Sequence, residues 1–240
     1  MENSLYIALS RQSVVDRQME VIANNLANAT TPAFKGETMM FAEHLARAPG
    51  QPPLSFVRDV ASLRDMQEGS FTRTENPLDL AIHGDGWFAV GTQQGEQYTR
   101  NGHFALDALG RLVTSQGQPV LSDTSTPITF QPSDTKITFA GDGTVLADGQ
   151  PRGRLRIVTF NNQQQLKYAG NTLYTADPNA TASKAGSAQI VQGMLEDSNV
   201  KPILEITAMM TALRMYQGAQ KLIDTEHDRQ LKTIDTLTKG

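Results

Sequence analysis

Residues able to do chemistry are thinly spread along this chain, and their spacing suits few reactions. The four histidines, His44, His83, His103 and His227, nowhere fall at the short intervals by which one element presents two ligands to a metal. Gly84-Asp85-Gly86 and Gly141-Asp142-Gly143 each supply two glycines where a dinucleotide-binding turn needs a third and then a helix. An apolar run, Trp87-Phe88-Ala89-Val90, follows the first of them, so these read as turns between strands. Ser133-Asp134-Thr135-Lys136 matches a Ser-x-x-Lys nucleophile in letters alone, because it precedes a strand pattern, Ile137-Thr138-Phe139, and not a helix. Asp79 and Asp85 are a candidate carboxylate pair for glycoside hydrolysis, a mechanism that depends on their separation in space. Asp79, set between Leu78 and Leu80, reads more simply as the solvent-facing position of an alternating strand. Asn28-Ala29-Thr30 and Asn179-Ala180-Thr181 fit a glycosylation acceptor, a pattern that chance readily supplies. Cysteine is absent, which excludes disulfides, thiolate metal sites and cysteine nucleophiles. The expectation is a protein that is not an enzyme, with no catalytic, cofactor or metal site.

Composition narrows the classes further. Of 240 residues, 39% are hydrophobic and 19% charged, which suits a folded chain and argues against wholesale disorder. Lys plus Arg is 21 against 25 Asp plus Glu, so the basic excess of a nucleic-acid binder is missing. No apolar run approaches the roughly 18 residues of a membrane span. The first residues, MENSLYIALSRQSVVDRQMEV, lack a basic n-region and a continuous apolar stretch, so no cleaved signal peptide is expected.

Three textures must position whatever function exists. Residues 4–29 hold no Gly or Pro, and Leu5, Ala8, Gln12, Val15, Met19, Ile22, Leu26 and Ala29 are spaced 3, 4, 3, 4, 3, 4, 3. That heptad seam is narrower than the apolar face of a helix lying on a globular core. Pro32 disfavours helix at Thr31 and closes the pattern. A second seam runs through Ile206, Met209, Leu213, Tyr216, Gln220, Ile223, His227, Gln230, Ile234 and Leu237. Pro202 suits its first turn, with Ser198 or Asn199 as the cap. Polar residues in such a seam cost stability but can fix register. Between the ends, residues 36–68 read as a polar linker, with Pro49, Gly50, Pro52 and Pro53, and residues 69–196 as many short strands. Gly110–Pro119 and Gly143–Pro151 share one strand-turn-strand pattern, and Arg154–Phe160 is a further strand. The fold class expected is α+β: N- and C-terminal helices pairing as a coiled coil, with a central all-β domain between them.

Four stretches then carry a resemblance. Val21-Ile-Ala-Asn-Asn-Leu-Ala-Asn-Ala-Thr-Thr-Pro-Ala-Phe-Lys35 resembles the N-terminal signature of the bacterial flagellar rod and hook proteins. Asn76–Val90 and Tyr98–Asp107 resemble that family's central β-domain, and Val191–Pro202 the segment leading into its C-terminal helix. The matches are collinear and reach both ends. The length, the Ser198–Pro202 lead-in, Glu226–Arg229 and Ile234–Leu237 lean towards the proximal-rod members, with the distal-rod type as the rival. The family pattern commonly has Gly before the Phe where this chain has Ala33, so a φ above zero there would carry a steric cost.

The resemblance implies a structural subunit of the flagellar basal-body rod. Its terminal helices would associate inside a tubular assembly, its β-domain would sit outside, and its export would use the flagellar type III apparatus without a cleaved signal. Partners would be other rod proteins, copies of itself and the export apparatus, with no nucleic acid and no small-molecule substrate. The residues expected at the assembly interface are Leu5, Val15, Met19, Ile22 and Leu26 with Ile206, Met209, Leu213, Tyr216 and Ile223. Rivals from other classes are a cell-wall hydrolase and a coiled-coil adaptor with a β head.

Overall fold

A computed structural model describes residues 2–46, 54–177, 180–186 and 188–238, apart from the side chains of 2–7, 42–46, 54–60 and 237–238. In chain order the elements are α1 (Glu2–Ala27), β1 (Glu37–Ala46), β2 (Leu54–Arg64), β3 (Phe71–Arg73), β4 (Leu80–His83), β5 (Trp87–Thr92) and β6 (Gly95–Thr99). There follow β7 (Phe104–Leu106), β8 (Leu112–Thr114), β9 (Ile137–Phe139), β10 (Thr144–Ala147), β11 (Gln150–Arg154) and β12 (Ile157–Phe160). The last are β13 (Leu166–Gly170), β14 (Leu173–Ala176), β15 (Ala182–Lys184), β16 (Gln189–Gln192), β17 (Met194–Glu196) and α2 (Pro202–Thr238). The class is α+β, with a helix at each end and a β-rich middle. The chain forms two compact units. The first holds Met1–Asn28, Glu37–Asp65 and Val200–Gly240, the second Ala29–Gly36 and Met66–Asn199.

The first unit contains α1, α2 and an antiparallel pair made by β1 and β2. The stretch expected as a polar linker is thus mostly strand. Thr38-Met39-Met40-Phe41 has the β-branched, aromatic and long apolar side chains that suit a half-buried sheet, while the Pro and Gly that suggested a linker lie outside the described residues. Asn25 ties α1 to this pair: its amide donates to the Glu37 carbonyl at 2.8 Å and accepts from the Glu37 amide at 2.9 Å. Arg64 forms an ion pair with Glu37 across the strands.

The second unit is organised by a six-stranded antiparallel sheet in the order β13-β14-β6-β5-β12-β15. Strand side chains alternate between faces, and β5 shows that both faces here are buried. Phe88 and Val90 enter one apolar cluster with Leu80, Phe104, Leu112 and Leu155, whereas Trp87 and Ala89 enter a second with Tyr98, Phe160 and Tyr174. Burying either aliphatic or aromatic set contributes about 1.5–3 kcal/mol per large side chain. Asp79 is not solvent-facing as its alternation suggested. It is buried, accepts from the Asn76 amide at 3.0 Å and lies 2.7 Å from His103 Nδ1. Leu80, Ala81 and Ile82 beyond it are all fully buried, so period two carries no inside-outside information in β4.

Turns of this unit are fastened by carboxylates. The Arg111 amide holds Asp107 below the usual carboxylate range, the Thr144 amide does so for Asp142 and the Thr135 amide for Asp148, while the Arg152 guanidinium does the same for Asp134. Asp148 alone accepts from the Thr135 amide, the Thr135 hydroxyl and the Lys136 amide. A carboxyl whose folded pKa is depressed stabilises above its unfolded pKa, and that contribution disappears as pH falls through the folded value. The urea midpoint of the β unit is therefore expected to drop on acidification below about pH 4. Asp148→Asn should lower the midpoint at neutral pH and flatten part of the acid dependence; an unchanged acid profile in this variant would contradict the assignment.

Candidate functional site

Within the second unit, β3 and β17 pair, and the segments just beyond them cross closely. Gly69 lies at the crossing: a Cβ there would stand 2.1 Å from the Asp197 carbonyl oxygen, so glycine is required by proximity alone. The Asp197 amide donates to the Ser70 carbonyl at 2.7 Å, and its carboxylate accepts from the Ser70 and Thr72 hydroxyls, each at 2.8 Å.

This crossing surrounds Glu196, whose side chain has no solvent exposure. One carboxylate oxygen accepts from Lys35 Nζ at 2.6 Å and from the Gly69 amide at 3.2 Å. The other accepts from Arg100 Nε at 3.1 Å. Arg100 gives three further donors to the Gly84 carbonyl at 2.7 Å, the Gly86 carbonyl at 2.8 Å and Glu68 at 3.1 Å. Glu68 also accepts from the Gly84 amide and pairs with His83 at 3.2 Å. Lys35 Nζ makes a second bond to the Gln67 carbonyl at 2.5 Å. Burial pushes the Lys35 ammonium below the usual lysine range, and the Glu196 carboxylate opposes that shift. Two buried cations and a buried anion are tolerable because hydrogen bonds of the right sign meet them; without such partners each ion would carry a desolvation penalty of several kcal/mol.

The same network docks residues 29–36. The Ala33 amide donates to the Glu196 carbonyl at 2.8 Å, the Asn199 amide to the Phe34 carbonyl at 3.3 Å, and the Gly36 amide to Asn199 Oδ1 at 2.8 Å. Asn199 Nδ2 turns to the Gln67 carbonyl at 3.1 Å. Asn199 is therefore not the cap of α2; its side chain is committed here, and the Lys201 carbonyl accepts the first helical amides, from Leu204 and Glu205. Ala33 is buried at φ +57°, the left-handed conformation whose steric cost its Cβ brings.

The residues expected at an assembly interface lie in the first unit. Val15 and Ile22 are buried with Ala212, and Met19, Met209 and Tyr216 pack against them together with Ala208. Leu26 and Ile223 are half-buried, and the Leu5 side chain lies outside the described residues. Ile206 and Leu213 are exposed, at 48% and 46%. The row of α2 covered within the chain runs Met209, Ala212, Tyr216, Ala219 and Ile223, so Ala212 and Ala219 replace Leu213 and Gln220 in it. Alanine at these points lets two helix backbones approach, since interaxial distance follows side-chain size. Gln12 and Gln220, the polar members of the two seams, meet side chain to side chain at 3.0 Å.

The residues weighed for chemistry do not converge. Asp79 pairs with His103, whereas Asp85 accepts from Gln163 at 3.1 Å. His83 bonds Glu68, His227 is exposed, and the His44 side chain lies outside the described residues. Among the described residues no three His, Asp or Glu side chains gather as a metal would require. Nothing in the spacing announced the Glu196 network, since its partners stand 161 and 96 positions away. The available signal was charge within the family-like stretches: Lys35 ends Val21–Lys35 and Arg100 lies inside Tyr98–Asp107.

Comparison with known proteins places the chain in a class. A family model described as Flagella basal body rod protein matches residues 5–35, one described as Flagellar hook protein FlgE/F/G D1 domain matches 81–147, and one described as Flagellar basal body rod FlgEFG protein C-terminal matches 191–236. Each matched stretch supplies one member of the network: Lys35, Arg100 and Glu196. The chain belongs to the flagellar basal-body rod protein family. Within it, the chain is similar to the flagellar basal-body rod protein FlgF of Caulobacter vibrioides, 37% identical over 243 residues covering 100% of this chain and 99% of that one. It is 33% identical to FlgF of Escherichia coli over 95% of each chain, and 32% identical to FlgG of Bacillus subtilis over 95% of this chain and 96% of that protein.

Two stability series test the site. Glu196→Gln is expected to cost about 3–5 kcal/mol, because two buried cations lose their carboxylate together. Lys35→Met should cost clearly less, since Glu196 keeps Arg100 and the Gly69 amide; denaturant unfolding followed by the single tryptophan, Trp87, reads the order. At position 33, relief of about 1–2 kcal/mol of left-handed strain is set against about 0.5–1 for glycine's freedom and about 0.8 for the buried methyl. Ala33→Gly should therefore be nearly neutral, whereas Ala33→Val, with a β-branched side chain at positive φ, should destabilise by more than about 1 kcal/mol.

Proposed function

We propose that the chain is a structural subunit of the proximal flagellar rod and that it assembles through its terminal helices. The observation that carries this reading is the apolar row α2 leaves at solvent: Ile203, Ile206, Met210 and Leu213, with exposures from 46% to 79%. One residue of helix turns the axis by about 100°, so this row lies beside the one α1 covers. A helix with one covered and one uncovered apolar row is built for more than one helical neighbour.

In this reading α1 and α2 pair as a coiled coil, with Gln12 and Gln220 in contact across it, and the exposed row meets helices of neighbouring copies and other rod proteins. The β-domain of 69–196 is carried outside. Contacts related by a rotation that does not close generate a helical tube, and burial between subunits offsets the ordering entropy of long helices, which are marginal on their own. The family resemblance also supports export through the flagellar type III apparatus without a cleaved signal. No catalytic step is involved.

Leu213→Asp separates assembly from folding. Its side chain is exposed in the single chain, so the monomer's unfolding midpoint should change little while incorporation into rods and swimming are lost. Ala212→Asp, which puts a charge against Val15 and Ile22, should instead loosen the helix pair itself. Normal swimming with Leu213→Asp would overturn the exposed row as the assembly surface.

A further inference from the structure

We infer that residues 29–36 form a strap that closes onto a preformed socket in the β unit and opens as a piece of its own, with Lys35 on Glu196 as the latch. The inference does not rest on the rod reading, because it concerns the chain by itself.

Four observations carry it. The strap is buried at Ala33, Phe34 and Lys35, yet none of the three belongs to either apolar cluster of the β unit. It pairs with no strand among the described residues, and Ala33, Phe34 and Gly36 bond instead to Glu196 and Asn199. The socket stands without it, since Glu196 stays aimed by Arg100 and the Gly69 amide, and Arg100 is itself held by Gly84, Gly86 and Glu68. The docked form also carries strain at Ala33, at φ +57°.

Physical reasoning sets the relative cost of opening. Losing the core means exposing side chains such as Trp87, Phe88 and Leu112, whereas opening the strap releases one aromatic ring and one ion pair whose members regain water. Segments with few buried apolar contacts open at free energies well below the global value. The latch is electrostatic because a buried carboxylate between two cations recognises Lys35 specifically: an apolar side chain of similar length would leave one Glu196 lone pair unmet and the Gln67 carbonyl without its lysine donor.

Hydrogen exchange on the full chain with increasing denaturant tests this. The amides of Ala33 and Gly36 are expected to exchange by an opening with little denaturant dependence, faster than those of Ala89 and Leu112, which bond to Arg156 and Ile128 inside the unit. In Lys35→Gln the Ala33 and Gly36 amides should exchange about 100-fold faster, still with little denaturant dependence, because the docked form alone loses the ion pair. Lys35→Arg should restore part of the protection. The strap is overturned if Ala33 shares the rate and denaturant slope of Ala89 in the native chain. It is overturned equally if Ala33 and Gly36 keep their native exchange rates in Lys35→Gln, since the ion pair would then not hold the segment down.

Discussion

The second unit depends on one buried carboxylate. Glu196 sits where β17 ends, its side chain closed off from the surface, and the groups around it supply donors: Lys35, Arg100 and the Gly69 amide. That demand explains features which are otherwise unconnected. Gly69 must lack a side chain so that two segments can cross within reach of the carboxylate. Arg100 must be held from behind by the carbonyls of Gly84 and Gly86, so the Gly-Asp-Gly turn that resembles a nucleotide loop is instead the seat of a guanidinium. A buried charge is weak evidence for stability in itself, because desolvation opposes the pairing. Its consequence is specificity: only Lys35, reaching in from residues 29–36, completes the set.

A large apolar core makes such an arrangement affordable. The central sheet is buried on both faces, with successive residues of β5 feeding separate clusters, and neither cluster includes the ion network. The polar site and the cores are thus physically distinct: the cores hold the β unit together, while the network selects which segment docks on it.

Legibility followed the range of the interactions. The two long helices, the Pro202 start of α2 and the strand-rich middle come from local pattern and are visible in the sequence. The strands of residues 37–64 were hidden because Pro and Gly at 49–53 outweighed a short run of strand-forming residues beside them. The burial of Asp79 was hidden because alternation reports a half-buried strand and fails where both faces are covered. The Glu196 network was hidden for a different reason. Its members are distant in sequence and unremarkable by type, so only the fold brings Lys35 and Glu196 to 2.6 Å.

The helical ends obey a different rule, in which size matters more than hydrophobicity. Choosing seam residues by apolarity selects Ile206 and Leu213, yet α1 covers Ala208, Ala212 and Ala219, where small side chains allow close approach. The larger residues are left one step round the helix, at solvent. In an isolated two-helix pair that is a poor use of Ile and Leu, since each buried aliphatic side chain contributes about 1.5–3 kcal/mol. It becomes sensible if alanine serves the contact inside the chain and the bulkier row serves the contacts between chains. Gln12 and Gln220 fit the same division: their solvent-exposed pair contributes little energy to the contact inside the chain. On the proposed assembly, a chain whose helices meet through small side chains, with Ile203, Ile206, Met210 and Leu213 still at solvent, would keep that apolar row for its neighbours.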